Sequence, residues 1–174
     1  MKVVNLVAGP GVGKSTTASG LFYNTKIRGV NAELVDEYAK QLTWDERHNT
    51  LEDQLYILAK QNRKLVRINE KVELAITDCP LLLGLVYAKS NYFQHFKPLV
   101  LELFNSYDNI VYYLERGFEY SEVGRNQTEE EARVIDANLY SMLVENNVPF
   151  TLVPATDGYV PFILEDLAKR GVLK

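Results

Sequence analysis

Along the chain, short apolar runs alternate with stretches whose apolar residues recur at helical spacing. Val3-Val4-Asn5-Leu6-Val7, Leu74-Ala75-Ile76-Thr77 and Ile110-Val111-Tyr112-Tyr113-Leu114 are short and rich in β-branched or aromatic side chains, as buried strands are. With two weaker runs they predict strands near 2–7, 32–36, 73–77, 109–114 and 149–153. Helices are predicted near 14–28, 50–70, 81–89, 95–105, 128–147 and 159–170. In the second of these, Leu51, Leu55, Leu58 and Leu65 mark the expected buried stripe. Thr128 three residues before Glu131 forms a capping-box pattern, and Thr50 before Asp53 is its weaker form. Pro149 and Gly158 punctuate the last strand.

Strands alternating with helices predict a doubly wound α/β fold, a five-stranded parallel sheet with helices on both faces. The ligand crevice of such a sheet lies at the carboxyl ends of its strands. That shortlists Asp36 and Glu37, Asp78, Arg116, and the loop 156–158.

Composition narrows the picture. A length of 174 residues fits a single domain over 1–174, and 47% apolar with 24% charged residues is the balance of an ordinary globular protein. Two histidines and one cysteine build neither a structural zinc site nor a disulfide framework. A net charge of −4 disfavours broad electrostatic capture of nucleic acid, although a local basic groove survives that average. No apolar stretch approaches a membrane span and no export signal is legible, so a soluble cytoplasmic protein with a reduced Cys79 and no membrane partner is expected. The oligomeric state is left open, a dimer included.

The chemistry begins at Ala8-Gly9-Pro10-Gly11-Val12-Gly13-Lys14-Ser15, a Walker A loop directly after the first strand, with Ala8 where the strict pattern has Gly. Its glycines let successive N–H groups face one anion, Lys14 adds a mobile charge for the outer phosphates, and the Ser15 hydroxyl suits Mg²⁺. Thr16 opens a helix whose positive dipole end faces the same anion. Residues from Gly9 to Thr16 are therefore the candidate nucleotide-binding set.

Asp36-Glu37 ends the second strand, one helix beyond the phosphate loop, where a carboxylate can take the proton of an attacking hydroxyl. Asp78 ends the third strand and is the candidate for the metal, directly or through water. Cys79 follows it where hydrolytic ATPases carry a glutamate, which favours transfer over hydrolysis. Arg116 opens a polar, glycine-containing stretch that reads as a mobile lid over about 116–128, and Arg116, Arg125 and Arg133 are spaced to converge on a triphosphate. On the acceptor side, Tyr38, Arg47, Gln54, Gln61 and Arg63 suit a planar polar substrate. Gln54 and Gln61 are seven apart, on one helix face, and a glutamine amide offers a paired donor and acceptor to a base edge.

These pieces together resemble the P-loop kinases of nucleosides and nucleotides, in particular the branch with ribosylnicotinamide kinase and small phage-encoded deoxynucleotide or polynucleotide kinases. The resemblance rests on the Ala8 to Ser15 loop, Asp36-Glu37-Tyr38-Ala39-Lys40, the Gln54 and Gln61 helix, Thr77-Asp78-Cys79-Pro80, and Gly124-Arg125 followed by Gln127-Thr128-Glu129-Glu130. It implies strand order 2-3-1-4-5, ATP with Mg²⁺ as donor, and an acceptor between the second-strand carboxylate and the 38–63 segment. It also implies that Thr156 and Asp157 border the adenine. The acceptor is then a nucleoside, a nucleotide or a related ribosyl compound. An alternative is a DNA or RNA end, or a modified base, held by a basic groove from Arg47, His48, Lys60, Arg63, Lys64 and Arg67. A regulatory nucleotide switch ranks third, since no Asn-Lys-x-Asp guanine motif follows a late strand.

Overall fold

The computed structural model describes residues 1–117, 119–121, 127–155 and 158–173. Strands β1 (Lys2–Val7), β2 (Ala32–Val35), β3 (Leu74–Thr77), β4 (Asp108–Leu114) and β5 (Thr151–Val153) form one sheet in the order β2-β3-β1-β4-β5. All pairings are parallel, with Val3 of the central β1 opposite Ala75 on one side and Asn109 on the other. The fold class is the one the alternating pattern predicts, and the strand order is the one the family resemblance implies. Its helices are α1 (Lys14–Ile27), α2 (Tyr38–Trp44), α3 (His48–Leu51), α4 (Gln54–Ile68), α5 (Gly84–Tyr87), α6 (Phe96–Asn105), α7 (Glu129–Glu145) and α8 (Tyr159–Lys169), with a 3₁₀ turn at Leu81–Leu83.

Because side chains alternate across a strand, the sheet sorts its apolar residues into two cores. Val3, Val7, Ala75, Val111 and Tyr113 pack under α4, α6 and α7 with Leu58, Phe96, Val100 and Leu139. Val4, Leu6, Ile76, Ile110 and Tyr112 face the other way, against Ala18 and Leu21 of α1 and Ile163 and Leu167 of α8. A strand covered on both faces reads as a nearly continuous apolar run, which is why β1 is legible despite its buried Asn5.

The helix ends show where pattern reading succeeds and where it slips. Thr128 caps α7 as the capping box predicts, its hydroxyl accepting from the Glu131 N–H while the Glu131 carboxylate accepts from the Thr128 N–H at 2.8 Å. The helix predicted from residue 50 starts instead at Gln54. Asp53 is its cap and accepts the Tyr56 N–H at 3.1 Å, while Thr50 belongs to the separate one-turn α3. The buried stripe of α4 is Gln54, Ile57, Leu58, Gln61 and Leu65, and Leu55 is 40% exposed. Two buried glutamines rotate the stripe away from the one that leucines alone mark. The short helices α2 and α3 were not predicted, since seven and four residues show too little of a 3.6-residue period. No helix among the described residues is long and apolar enough to cross a membrane.

Candidate active site

The loop after β1 turns on Gly11 and Gly13, with φ of 83° and 103°, the left-handed region that glycine enters without a Cβ penalty. Pro10, Gly11, Gly13, Lys14, Ser15 and Thr16 line one wall of a cleft of ≈ 400 Å³. Two residues of the expected nucleotide-binding run stand elsewhere. Val12 is buried against the α1 and α8 core, and the Gly9 N–H donates to Asp136 Oδ1 at 2.7 Å. Lys14 Nζ folds back on its own loop, donating to the carbonyls of Ala8 at 2.8 Å and Gly9 at 3.0 Å. Burial lowers the pKa of this ammonium, and the nearby Glu37 and Asp78 carboxylates pull it back up.

The neighbouring carboxylates Asp36 and Glu37 separate at the end of β2. Asp36 is directed outward, accepting from Lys64 Nζ at 2.8 Å and from Gln41 Nε2 at 3.1 Å, and these contacts hold its carboxyl below the usual range against a partial burial that raises it. Glu37 lines the cleft with the phosphate loop. Burial raises its carboxyl pKa, the Asp78 charge adds to that, and Lys14 opposes it. Asp78, at the end of β3, is buried, and its Oδ1 has no hydrogen-bond partner among the described residues. Ser15, Glu37 and Asp78 share a recess of ≈ 260 Å³ beside the cleft, and Asp36, absent from the cleft itself, lines the outer side of this recess. A buried unpartnered carboxylate oxygen next to a serine hydroxyl fits a hard, oxygen-ligated cation such as Mg²⁺. Among the described residues no three His, Cys, Asp or Glu side chains are grouped to hold a metal.

Arg116, after β4, reaches the loop. Its Nε donates to Asp136 Oδ2 at 2.7 Å and one terminal nitrogen, Nη2, donates to the Pro10 carbonyl at 2.8 Å. Asp136 therefore joins α7, the phosphate loop and Arg116 through its two oxygens. Sequence reading missed Asp136. Its signal was present in the stripe Ala132, Asp136, Leu139 and Leu143, where a charged residue occupies an otherwise buried helical face. Arg133, expected to converge with Arg116, lies on the exposed face of α7 and pairs with Glu129. Arg125, Thr156 and Asp157 lie outside the described residues, as does part of the lid segment.

The acceptor-side expectations divide. Gln54 and Gln61 both line the cleft from α4, together with Thr43, Trp44, Ile57, Leu83 and Tyr87. The Gln61 amide is already engaged: its Oε1 accepts the Tyr38 N–H at 3.1 Å, and its Nε2 donates to the Asp36 carbonyl at 3.2 Å and to Thr77 Oγ1 at 3.5 Å. It pins the turn that carries Glu37 and has no paired edge left for a base. Gln54 Nε2 donates to the Leu51 carbonyl at 2.8 Å. Tyr38, Arg47 and Arg63 do not line the cleft. The Tyr38 hydroxyl bonds the Tyr56 hydroxyl at 3.1 Å, Arg47 is exposed at the start of α3, and Arg63 sits over a groove between α4 and α6. Two residues past Gln61 a helix has turned about 200°, so Arg63 must leave the face that Gln61 occupies. The supposed basic groove is likewise dispersed, with Lys64 on Asp36 and Lys60 over the rings of Tyr38 and Tyr56.

The fold is shared with proteins of known structure, a thymidylate kinase and a deoxyadenosine kinase among them. A NadR protein in complex with NR superimposes with a TM-score of 0.77 at 19% identity, over 99% of this chain and 52% of that one, so this chain spans about half the length of NadR. Deoxyadenosine kinase from M. mycoides with bound dCTP gives 0.62 at 20% identity, over 97% and 100% of the two chains. Thymidylate kinase from Ehrlichia chaffeensis gives 0.60 at 17%, over 99% and 98%. No curated protein sequence matches the chain significantly. These likenesses establish a P-loop, nucleoside-kinase-like fold. Residues 3–159 match the family described as an AAA domain, and with the loop, the sheet order and the strand-end carboxylates in place, the chain belongs to that family.

Proposed function

We propose that this protein is a kinase that transfers the γ-phosphoryl group of ATP, bound with Mg²⁺, to a hydroxyl of a nucleoside or related ribosyl compound. The observation that carries the reading is Glu37, a carboxylate set on the cleft between the phosphate loop and the α4 wall while its neighbour Asp36 is held outside.

The acceptor hydroxyl oxygen forms a bond to the γ-phosphorus, the bond from that phosphorus to the β,γ-bridging oxygen breaks, and the hydroxyl proton passes to Glu37. A carboxyl pKa raised by burial brings Glu37 nearer to neutrality and makes it a better base than a solvated glutamate. Lys14 and Arg116 oppose the charge that spreads over the transferred group, and Thr16 with the loop amides holds the phosphates at the start of α1. Ser15 and Asp78 would hold the Mg²⁺, which supplies neutralisation of phosphate charge.

A hydroxyl acceptor is favoured over a phosphate because, among the described residues, no arginine lines the cleft. Arg47 and Arg63 are off the cleft, and among the described residues its lysines are Lys14 and Lys40. A phosphorylated acceptor calls for a fixed cationic clamp there. The likeness to deoxyadenosine kinase and to NadR in complex with NR supports the same class. The test is labelled-phosphate transfer from ATP to nucleosides, nicotinamide riboside, nucleoside monophosphates and short DNA. Transfer to one of the first two is expected. Transfer confined to monophosphates or to DNA overturns the reading.

A further inference from the structure

Arg116 is a buried cation fastened to the phosphate loop. Its side chain is only 7% exposed, with two of its three nitrogens engaged as described. The third, Nη1, is buried without a hydrogen-bond partner among the described residues. It lies beside the loop, 3.4 Å from where a Cβ on Gly11 would stand, and the Tyr120 ring covers the guanidinium face with its centroid 5.7 Å from Cζ. One edge of the guanidinium is thus fixed by Asp136 and Pro10, one face by Tyr120, and one nitrogen, Nη1, remains. A buried donor without a partner costs stability, and a fully charged one costs more, so its natural complement is an anion.

Asp136 determines where that donor sits. Its Oδ2 takes the Arg116 Nε–H and its Oδ1 takes the Gly9 N–H, both at 2.7 Å, so a single carboxylate on α7 sets the distance between the guanidinium and the loop backbone. Arg116 approaches the loop at Pro10 and Gly11, which line the same cleft as Glu37. A phosphate bound beside Pro10 and Gly11 lies in the cleft that Glu37 lines.

We propose that Asp136 is a positioning residue for nucleotide recognition, holding Arg116 so that Nη1 is a dedicated donor to the terminal phosphate of a bound nucleoside triphosphate. This rests on the nucleotide-binding part of the reading above, but not on the identity of the acceptor. It predicts that the protein discriminates ATP from ADP, and that the discrimination depends on Asp136 acting through Arg116.

The test is calorimetric titration of the intact protein with ATP and with ADP in Mg²⁺. Asp136→Asn keeps an oxygen for the Gly9 N–H and loses the charged partner of Nε. Expected is a native preference for ATP that falls about tenfold in Asp136→Asn, the range for one charge-assisted hydrogen bond. ADP affinity should stay within about twofold, because ADP has no phosphate at that donor. Arg116→Ala should lose the same preference, and the double variant no more than Arg116→Ala alone. Arg116→Lys, which keeps the charge but has no fork, should also lose it and serves if Asp136→Asn does not fold. An unchanged ATP-to-ADP ratio in Asp136→Asn or Arg116→Lys overturns the proposal. So does an equal fall in both affinities with a lowered melting temperature, the mark of a purely structural role. Native protein that prefers ATP but phosphorylates no acceptor refutes the kinase reading and leaves this one standing.

Discussion

Lys64 Nζ lies 2.8 Å from Asp36 Oδ1, and this pair holds Asp36 outside the cleft that the adjacent Glu37 lines. The two carboxylates are indistinguishable in sequence, both ending β2. One hydrogen-bonding choice made by a helix twenty-eight residues later separates them. Glu37→Gln should therefore reduce phosphoryl transfer by roughly 10²- to 10⁴-fold, the usual contribution of a positioned general base. Asp36→Asn should stay within a few-fold of native activity and lose less than about 1 kcal/mol of stability, as an exposed ion pair does. Steady-state transfer rates and melting curves of the two variants, measured side by side, check both. Equal loss in the two variants would remove the assignment of Glu37 as base.

The Glu37 carboxyl also predicts opposite pH responses for activity and stability. Its folded pKa is raised above the ordinary value of 4.5, chiefly by burial. Transfer should rise with pH as the carboxylate forms, with an apparent pKa above the normal glutamate range, and the rising limb should be absent in Glu37→Gln. For stability the sign reverses. A raised folded pKa means that the folded protein binds the proton more tightly than the unfolded chain. The contribution is then complete below the unfolded value and is lost as pH rises through the folded value. Glu37→Gln should be more stable than the native protein at neutral pH, a difference that closes as the pH falls through the folded value and is gone below about 4.5. Melting temperatures of both proteins across pH 4 to 8, without nucleotide, check this.

The parts of the fold that sequence revealed were those with a long or repetitive signal. The apolar β1 run, the Walker A loop and the Thr128 cap each depend on neighbours within a few residues, so local chemistry specifies them. The acceptor side depends on which face of α4 is buried, and two glutamines mark it, Gln54 through the nearby Leu51 carbonyl and Gln61 through distant backbone and side-chain groups. Gln61 looked like a free amide because its partners Tyr38, Asp36 and Thr77 are 23, 25 and 16 residues away. Asp136 escaped for the same reason, its partner Gly9 being 127 residues distant.

Gln61 and Arg63 consequently exchange the importance their sequence suggests. Gln61→Leu leaves the Tyr38 N–H without its acceptor in a half-buried turn and should cost about 1–3 kcal/mol. That lowers the melting temperature by several degrees, at about 2–4 °C per kcal/mol for a chain of this size. Activity should fall with it, since the turn carries Glu37. Arg63→Ala removes an exposed side chain away from the cleft and should change stability by less than about 0.5 kcal/mol. The acceptor KM should be unchanged. A raised acceptor KM in Arg63→Ala would restore this arginine to the substrate site.

Gly9 and Gly84 set a contrast in what a single methyl group does. A Cβ on Gly9 would stand 2.5 Å from Asp136 Oδ1 and 2.9 Å from the Ala132 carbonyl, whereas on Gly84 the nearest atom is Phe96 Cζ at 3.4 Å. Neither residue has a positive φ, so backbone strain does not enter. At Gly9 the carbonyl belongs to α7 and moves only with the helix. Gly9→Ala should therefore push α7 and the Asp136 carboxylate off the loop, at about 1–3 kcal/mol. ATP affinity should drop with it as the Arg116 contact is displaced. Gly84→Ala sits at the first residue of the one-turn α5, where the flexible end of a phenylalanine can give way and the unfolded chain loses freedom. It should be neutral or stabilising by up to about 1 kcal/mol. Melting curves of the two variants with and without ATP distinguish the cases: Gly9→Ala should lose both intrinsic stability and the nucleotide-induced shift, and Gly84→Ala should keep the shift. A Gly9→Ala variant with native stability and a native ATP shift would mean that α7 does not brace the loop in solution.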